Sequence, residues 1–331
     1  MNILITGATG FIGKALVRRL AAGKNRVAVL VRDQGKAAAS LPAGSEIYAA
    51  DITDKAALAE LAPSIGSVDM VIHLAACINY NAGKETLFKT NVEGTDNVLR
   101  LAGKLGAKRF IYISSIEAIG PVSGKDVPAG ETQLCCPVNL YGESKLEAEK
   151  LVLRGGAELK METFILRLGN VYGPESLSFV RPIAEAMLSS NKAWLYLNWN
   201  LYQWHPVYID DAVAGIISAA VKNNHGGIYN ITGEDPATVG RLAEVIMREL
   251  AVDLKARRVV GWGGIYIRLS EMWSKFKALF RFNKYSRVNW VYSIEKARRE
   301  LGYAPQVSLE DGIHRTIEWA RKEGILLKRV N

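Results

Sequence analysis

The chain has 331 residues, 49% of them hydrophobic and 23% charged; this excludes a disordered or fibrous protein and leaves room for one large domain or two modest ones. The net charge of +9 favours anionic partners such as phosphates or lipid headgroups, but the basic residues are dispersed, so no nucleic-acid partner is expected. Cys77, Cys135 and Cys136 offer neither a disulfide framework nor a metal-ligand spacing, which predicts no metal site and a reducing, cytoplasmic setting.

The opening MNILITG runs directly into a strand, with no signal-peptide pattern. The longest apolar run, AVAGIISAAV at 212–221, is about half the length needed to cross a bilayer. Strands are expected at NILIT (2–6), RVAVLV (26–31), EIYAA (46–50), MVIHLA (70–75), FIYIS (110–114) and TFILRL (163–168). Segments of helical periodicity, such as FIGKALVRRLAA and TNVEGTDNVLRLAGKLG, separate them. That alternation predicts an α/β fold with a doubly wound parallel sheet, its strands apolar along their length because both faces are covered.

Between the first strand and the first helix stands ITGATGFIG (5–13), with Gly7, Gly10 and Gly13 three apart. Gly7 suits a tight turn, Gly10 lets the backbone approach a pyrophosphate, and Gly13 lets the helix pack closely on the strand. The helix N-terminus then offers N–H groups and a positive dipole end to phosphates. The second strand ends VLVRD (29–33). An acidic residue at the tip would accept from NAD ribose hydroxyls, whereas Arg32 suits a 2′-phosphate, so NADP is preferred and NAD remains an option. The bland alternative makes Arg32 a solvated strand end and Asp33 a helix cap. Asp51, after the third strand, is placed to accept from the adenine amino group or to cap the next helix.

Three Tyr-x-x-x-Lys pairs occur: Tyr80/Lys84, Tyr141/Lys145 and Tyr292/Lys296. Asn-Ala-Gly interrupts the first, and the third lies far from the cofactor strands in sequence. Tyr141 and Lys145 open a strongly helical segment, where residues four apart share a face. They also follow FIYISS, a strand that delivers Ser114 and Ser115 to the sheet edge where α/β ligands bind. A phenol unaided titrates near 10; a neighbouring ammonium and a positively charged nicotinamide would lower that value. A serine hydroxyl could hold the reacting oxygen while the cofactor exchanges a hydride with the carbon.

After Pro174 the pattern changes. Aromatic residues crowd 194–204 (Trp194, Tyr196, Trp199, Tyr202, Trp204), a basic amphipathic segment covers 265–284, and a last helix is expected at about 308–323. HPVYIDD (205–211) and IYNITG (228–233) still read as core strands. The segment 265–284 mixes Trp273, Phe276, Leu279 and Phe280 with Arg268, Lys275, Lys277 and Arg281. It reads as a helix packing inward or, alternatively, making peripheral membrane contact.

These motifs resemble the extended short-chain dehydrogenase/reductase family over nearly the whole chain. The resemblance rests on TGATGFIG (6–13), ADITD (50–54), HLAA (73–76), Asn91 in TNVEGT, YISSIEAIG (112–120), YGESK (141–145), LRLGNVYGP (166–174) and VYIDDAVAG (207–215). It implies a Rossmann domain at 1–173, with 205–233 returning to it, and a smaller, mostly helical substrate-binding domain at 174–204 and 234–331. It implies Tyr141 as general acid/base, Lys145 as its pKa modifier and ribose contact, and Ser115 rather than Ser114 as the catalytic serine. Cofactor contacts are implied at Gly7, Thr9, Gly10, Phe11, Ile12, Gly13, Arg32, Asp51, Ile52, Leu74, Ala75, Ala76, Asn91, Tyr141, Lys145, Leu168 and Val171. Leu168 departs from the proline often found there. The family often pairs helices into a homodimer.

Within the family, sugar-nucleotide epimerases and dehydratases usually carry an Arg shortly before the VxxD strand and a late Arg-x-Gly-Asp. Here Trp204 stands at the first position, and Arg287 lacks the following Gly-Asp. The 3β-hydroxysteroid dehydrogenase and dihydroflavonol-reductase-like branch fits FIYISSIEAIGP better. It implies an alcohol/ketone oxidoreductase acting on a small, largely apolar molecule, with the sugar-nucleotide enzymes as the alternative. A cofactor-sensing protein without turnover is the other class; Ser115, Tyr141 and Lys145 together argue against it.

Overall fold

A computed structural model describes residues 1–123, 126–188, 201–222, 226–251 and 288–325. The strands are β1 (Asn2–Thr6), β2 (Arg26–Val31), β3 (Glu46–Ala49), β4 (Met70–His73), β5 (Arg109–Ser115), β6 (Glu162–Leu168), β7 (Asn170–Tyr172), β8 (Gln203–Trp204), β9 (Pro206–Tyr208), β10 (Gly227–Ile231) and β11 (Ala237–Thr238). Seven of them form one sheet in the order β10-β6-β5-β4-β1-β2-β3, every pair parallel.

Strand order reverses between β1 and β4, so the crevice for a ligand opens at their carboxyl ends. Along β1 the pleat sends Ile3 and Ile5 to one face of the sheet and Leu4 to the other. On the Leu4 face pack α3 (Lys55–Ile65), α5 (Gly94–Lys104) and α6 (Leu140–Glu158), which contribute Leu58, Val98 and Val152. The Ile3 face is covered by α1 (Phe11–Ala21) and the helix Ile209–Val221, with Leu16 and Ile216. Being buried on both faces, the central strands read as almost unbroken apolar runs. The outer strand β3 is only partly buried, as an edge position dictates.

Of the two late strand expectations, 228–231 joins the main sheet against β6. The stretch 205–211 does not: Pro206–Tyr208 pairs with β7 in a separate ladder. Its apparent continuation is a helix that begins at Ile209 with Asp210 and Asp211 in the first turn, where negative charge suits the helix dipole. The last helix runs Leu309–Lys322. Among the described residues, no helix is long and apolar enough to cross a membrane. Trp194, Tyr196, Trp199, Arg287 and the whole of 265–284 lie outside the described residues.

Candidate active site

The glycine turn joins β1 to α1 at the mouth of the crevice. Gly7 has φ of 71°, and a Cβ there would lie 2.6 Å from Ala75 N, so this turn touches the loop after β4. Leu74 N donates to Thr6 O at 3.2 Å, and Ala75 N donates to Thr6 Oγ1 at 3.2 Å. A Cβ on Gly13 would stand 2.2 Å from Gly7 O, which is how closely α1 seats on the turn. Gly10 is the N-cap of α1 and places no side chain in front of it. The first-turn amides at Phe11, Ile12 and Gly13 precede any carbonyl of their own helix. Together with partly buried Thr9, they form a backbone cradle whose shape and polarity fit a dinucleotide pyrophosphate.

Arg32 follows β2 directly and is exposed. Asp33 is engaged elsewhere: its Oδ1 accepts from Lys36 N at 2.9 Å and caps α2 (Gln34–Ser40). Asp51 does not cap the next helix, a role taken by Asp54. Burial pushes the Asp51 carboxyl up, but the hydrogen bonds from Thr53 and the charges of Arg32 and Lys89 leave it lowered on balance. Ile52 is buried, and its Cδ1 lies 2.8 Å from where a Cβ on Gly94 would be. Its side chain therefore packs against the start of α5.

Leu74, Ala75 and Ala76 are partly buried on the loop after β4. Leu168 ends β6 opposite Ser115, and Val171 pairs with Val207 in the ladder beside it. Asn91 behaves otherwise than expected of a cofactor contact. Its Oδ1 accepts from Cys77 N at 2.7 Å, while Nδ2 donates to Cys77 O at 3.0 Å and to Ser144 Oγ at 2.9 Å. Ser144 Oγ in turn donates to Tyr141 O at 2.7 Å. Buried in a π-helical turn, Lys89–Glu93, Asn91 ties the β4 loop to the helix that carries Tyr141.

β5 ends in two serines with different partners. Ser114 Oγ donates to Glu149 Oε1 at 2.5 Å, inside a buried ion pair that Glu149 forms with Arg167 at 2.7 Å. Ser115 Oγ accepts from Glu117 N at 3.2 Å, starting the short turn Ile116–Ala118, and its hydroxyl lies near enough to the Tyr141 phenol to favour phenolate. Helix α6 begins one residue before Tyr141, with Asn139 Oδ1 accepting from Gly142 N at 2.7 Å.

Lys145, one turn on, is buried. Its Nζ donates to Ile113 O at 2.6 Å and lies 4.3 Å from the centre of the Tyr112 ring. Burial lowers its pKa to about 7 against the opposing pull of Glu149. The Tyr141 phenol is pushed above its ordinary value, first by burial and then by the charge of Glu117, while the Ser115 hydroxyl works the other way.

The other tyrosine pairs separate clearly. Tyr292 donates to Gly120 O at 2.6 Å inside the protein, and Lys296 donates to Ile228 O at 2.9 Å, so both serve packing. Tyr80 is exposed, yet its ring lies 5.5 Å from that of Tyr141, and its hydroxyl donates to Glu117. Glu117 was visible within YISSIEAIG but carried no signal of its own in the sequence.

A glycine turn at the switch point after β1 and a Ser–Tyr–Lys group two strands away, beside β5, define a dinucleotide-dependent oxidoreductase. The chain matches the NAD dependent epimerase/dehydratase family over residues 3–232; it belongs to that family and is an enzyme of the extended short-chain type. It is 26% identical to the decarboxylating sterol-4-alpha-carboxylate 3-dehydrogenase of Candida albicans, over 97% of this chain and 98% of that one. Identity to the 3-beta-hydroxysteroid dehydrogenase of Mycolicibacterium neoaurum is 27%, over 94% and 89%. The fold superimposes on the UDP-glucose 4-epimerase of Thermotoga maritima, solved with UDP-glucose, with a TM-score of 0.78, 26% identity, and 98% and 99% coverage. It likewise matches the dTDP-glucose 4,6-dehydratase of Streptomyces venezuelae, solved with NAD, at a TM-score of 0.76, 24% identity and full coverage of both chains.

Proposed function

We propose that this chain is an NADP(H)-preferring dehydrogenase or reductase that interconverts an alcohol and a ketone on a largely apolar, steroid-, isoprenoid- or flavonoid-like molecule. The observation that carries the substrate class is Trp204. It occupies the position where sugar-nucleotide relatives place a phosphate-clamping Arg, and it packs into apolar surroundings, with Phe179 at 6.1 Å and the buried group of Ile116, Ile119, Val122 and Trp290. A diphosphate would find no cation at that residue, whereas a flat hydrocarbon finds a wall. The sterol and steroid dehydrogenases among the relatives support the same class.

The cofactor preference rests on β2. Arg32 is exposed at its tip, and Asp33 is engaged in capping a helix, so the tip offers a 2′-phosphate a cation and offers a ribose diol no free carboxylate. A nicotinamide nucleotide held on the glycine turn supplies or takes up the hydride at the reacting carbon. Ser115 Oγ donates to the substrate oxygen and orients it. Tyr141 gives that oxygen its proton in reduction and removes it in oxidation. Lys145, four residues along the same helix face, adds positive charge beneath the phenol and a donor for the cofactor ribose.

The test is to unfold freshly purified protein, identify any nicotinamide nucleotide released, and then measure NADPH and NADH binding. An epimerase reduces and reoxidises its own cofactor and can keep NAD near one per chain, whereas a dehydrogenase must exchange it. The reading expects an empty site that binds NADPH more tightly than NADH and, given NADP⁺ and a 3β-hydroxysteroid, forms NADPH. Retained NAD would instead favour the sugar-nucleotide alternative.

A further inference from the structure

Glu117 has no part in the chemistry described above, yet it joins three elements around the Tyr141 phenol. Its Oε1 accepts from the Tyr80 hydroxyl on the loop after β4. Its Oε2 accepts from Asn139 Nδ2 at 2.6 Å, and the same Asn139 caps α6 through Gly142 N. Its backbone N donates to Ser115 Oγ, and its carbonyl lies so near α6 that a Cβ on Gly142 would sit 2.3 Å away. Tyr80 itself is 58% exposed, and among the described residues this bond and its tilted ring contact with Tyr141 at 5.5 Å hold the ring there.

We infer that Glu117 is a positioning residue for Tyr141: its carboxylate latches the Tyr80 ring and the cap of α6 to the end of β5, forming the outer wall of the phenol. The inference rests on reading Tyr141 as the proton-transfer group. Facing this carboxylate and phenol are Cys77 and Tyr80 from the β4 loop, Tyr112 and Ser115 from β5, Lys145 from α6, and Tyr292 from the late segment. Among them Glu117 supplies the negative charge nearest in effect to the phenol. Ionised, it opposes phenolate formation, so neutralising it must move Tyr141 ionisation to lower pH.

Glu117→Gln separates charge from latch. Its amide oxygen can still accept from Asn139, and its amide N–H can donate to the Tyr80 oxygen. The probe is fluorine NMR of protein labelled with 3-fluorotyrosine, with resonances assigned by Tyr141→Phe and Tyr80→Phe. In Glu117→Gln the Tyr141 resonance is expected to titrate about one pH unit or more lower than in the parent, and the Tyr80 resonance to move as well. The charge effect alone moves the Tyr141 midpoint, so the latch is read from the Tyr80 signal: an unmoved Tyr80 signal, or an unmoved Tyr141 midpoint, overturns the inference. Should the Gln variant fail to fold, Tyr80→Phe removes one of the two bonds to the carboxylate and must shift the Tyr141 resonance; an unchanged resonance is again fatal. The catalytic reading fails separately, if Tyr141→Phe protein still turns over substrate.

Discussion

The His73 imidazole lies wholly inside the protein, with Nδ1 2.6 Å from Thr6 Oγ1 and Nε2 3.0 Å from Thr95 Oγ1. This chain of side chains connects β1, β4 and α5 directly beneath the cofactor turn. Burial, reinforced by the charge of Lys145, lowers its pKa from the ordinary 6.5 to about 3. Between those values the unfolded chain binds a proton that the native state refuses, so His73 stability is complete above the upper value and is lost as pH falls towards the lower. His205, lowered to about 4, acts in the same sense. Urea midpoints should therefore fall between neutral pH and about pH 4, and less steeply in His73→Gln; equal slopes would show that the imidazole does not titrate this way. At this scale the sequence placed Tyr141 and Lys145 together at the start of one helix, as α6 has them, since four-residue spacing on an opening helix is a local signal. Glu117 and Asn91 were not legible in their roles. Their partners come from 14 to 53 residues away, and only tertiary structure brings them together.

At the scale of elements, α6 does most to set the geometry of the candidate site. Its first turn carries Tyr141, its second carries Lys145, and its third carries Glu149, which reaches Ser114 and Arg167 on the two neighbouring strands. The cap residue Asn139 holds the start of that helix and touches Glu117. Asn139→Ala should lose about 1 kcal/mol of stability, read from urea unfolding, and lower kcat more than it raises KM because the Tyr141 turn loosens. An unaltered kcat would show that the cap does not set the phenol position. The strands were readable because burial on both faces leaves almost no polar residue in them. The late strand at 205–211 was misread in part, because Ile209 and the two aspartates continue an apolar-then-acidic pattern that fits a helix start equally well.

At the scale of the whole molecule, one sheet brings the glycine turn and the serine–tyrosine–lysine group to the same edge, although they lie more than a hundred residues apart in sequence. That placement follows from the rule that ligands bind at the carboxyl ends of parallel strands where the order reverses, so the cofactor region was the most legible part of the function. The substrate class was less so, because it depends on which side chains from the second half meet above that edge. Trp204 and its apolar neighbours carry that choice. Everything above turns on the Tyr141 hydroxyl. The decisive measurement compares wild-type protein with Tyr141→Phe for turnover of a 3β-hydroxysteroid and for NADPH affinity. The account predicts a fall in kcat of about a hundredfold or more with affinity essentially kept; activity that persists in the variant, or affinity lost along with turnover, would contradict it.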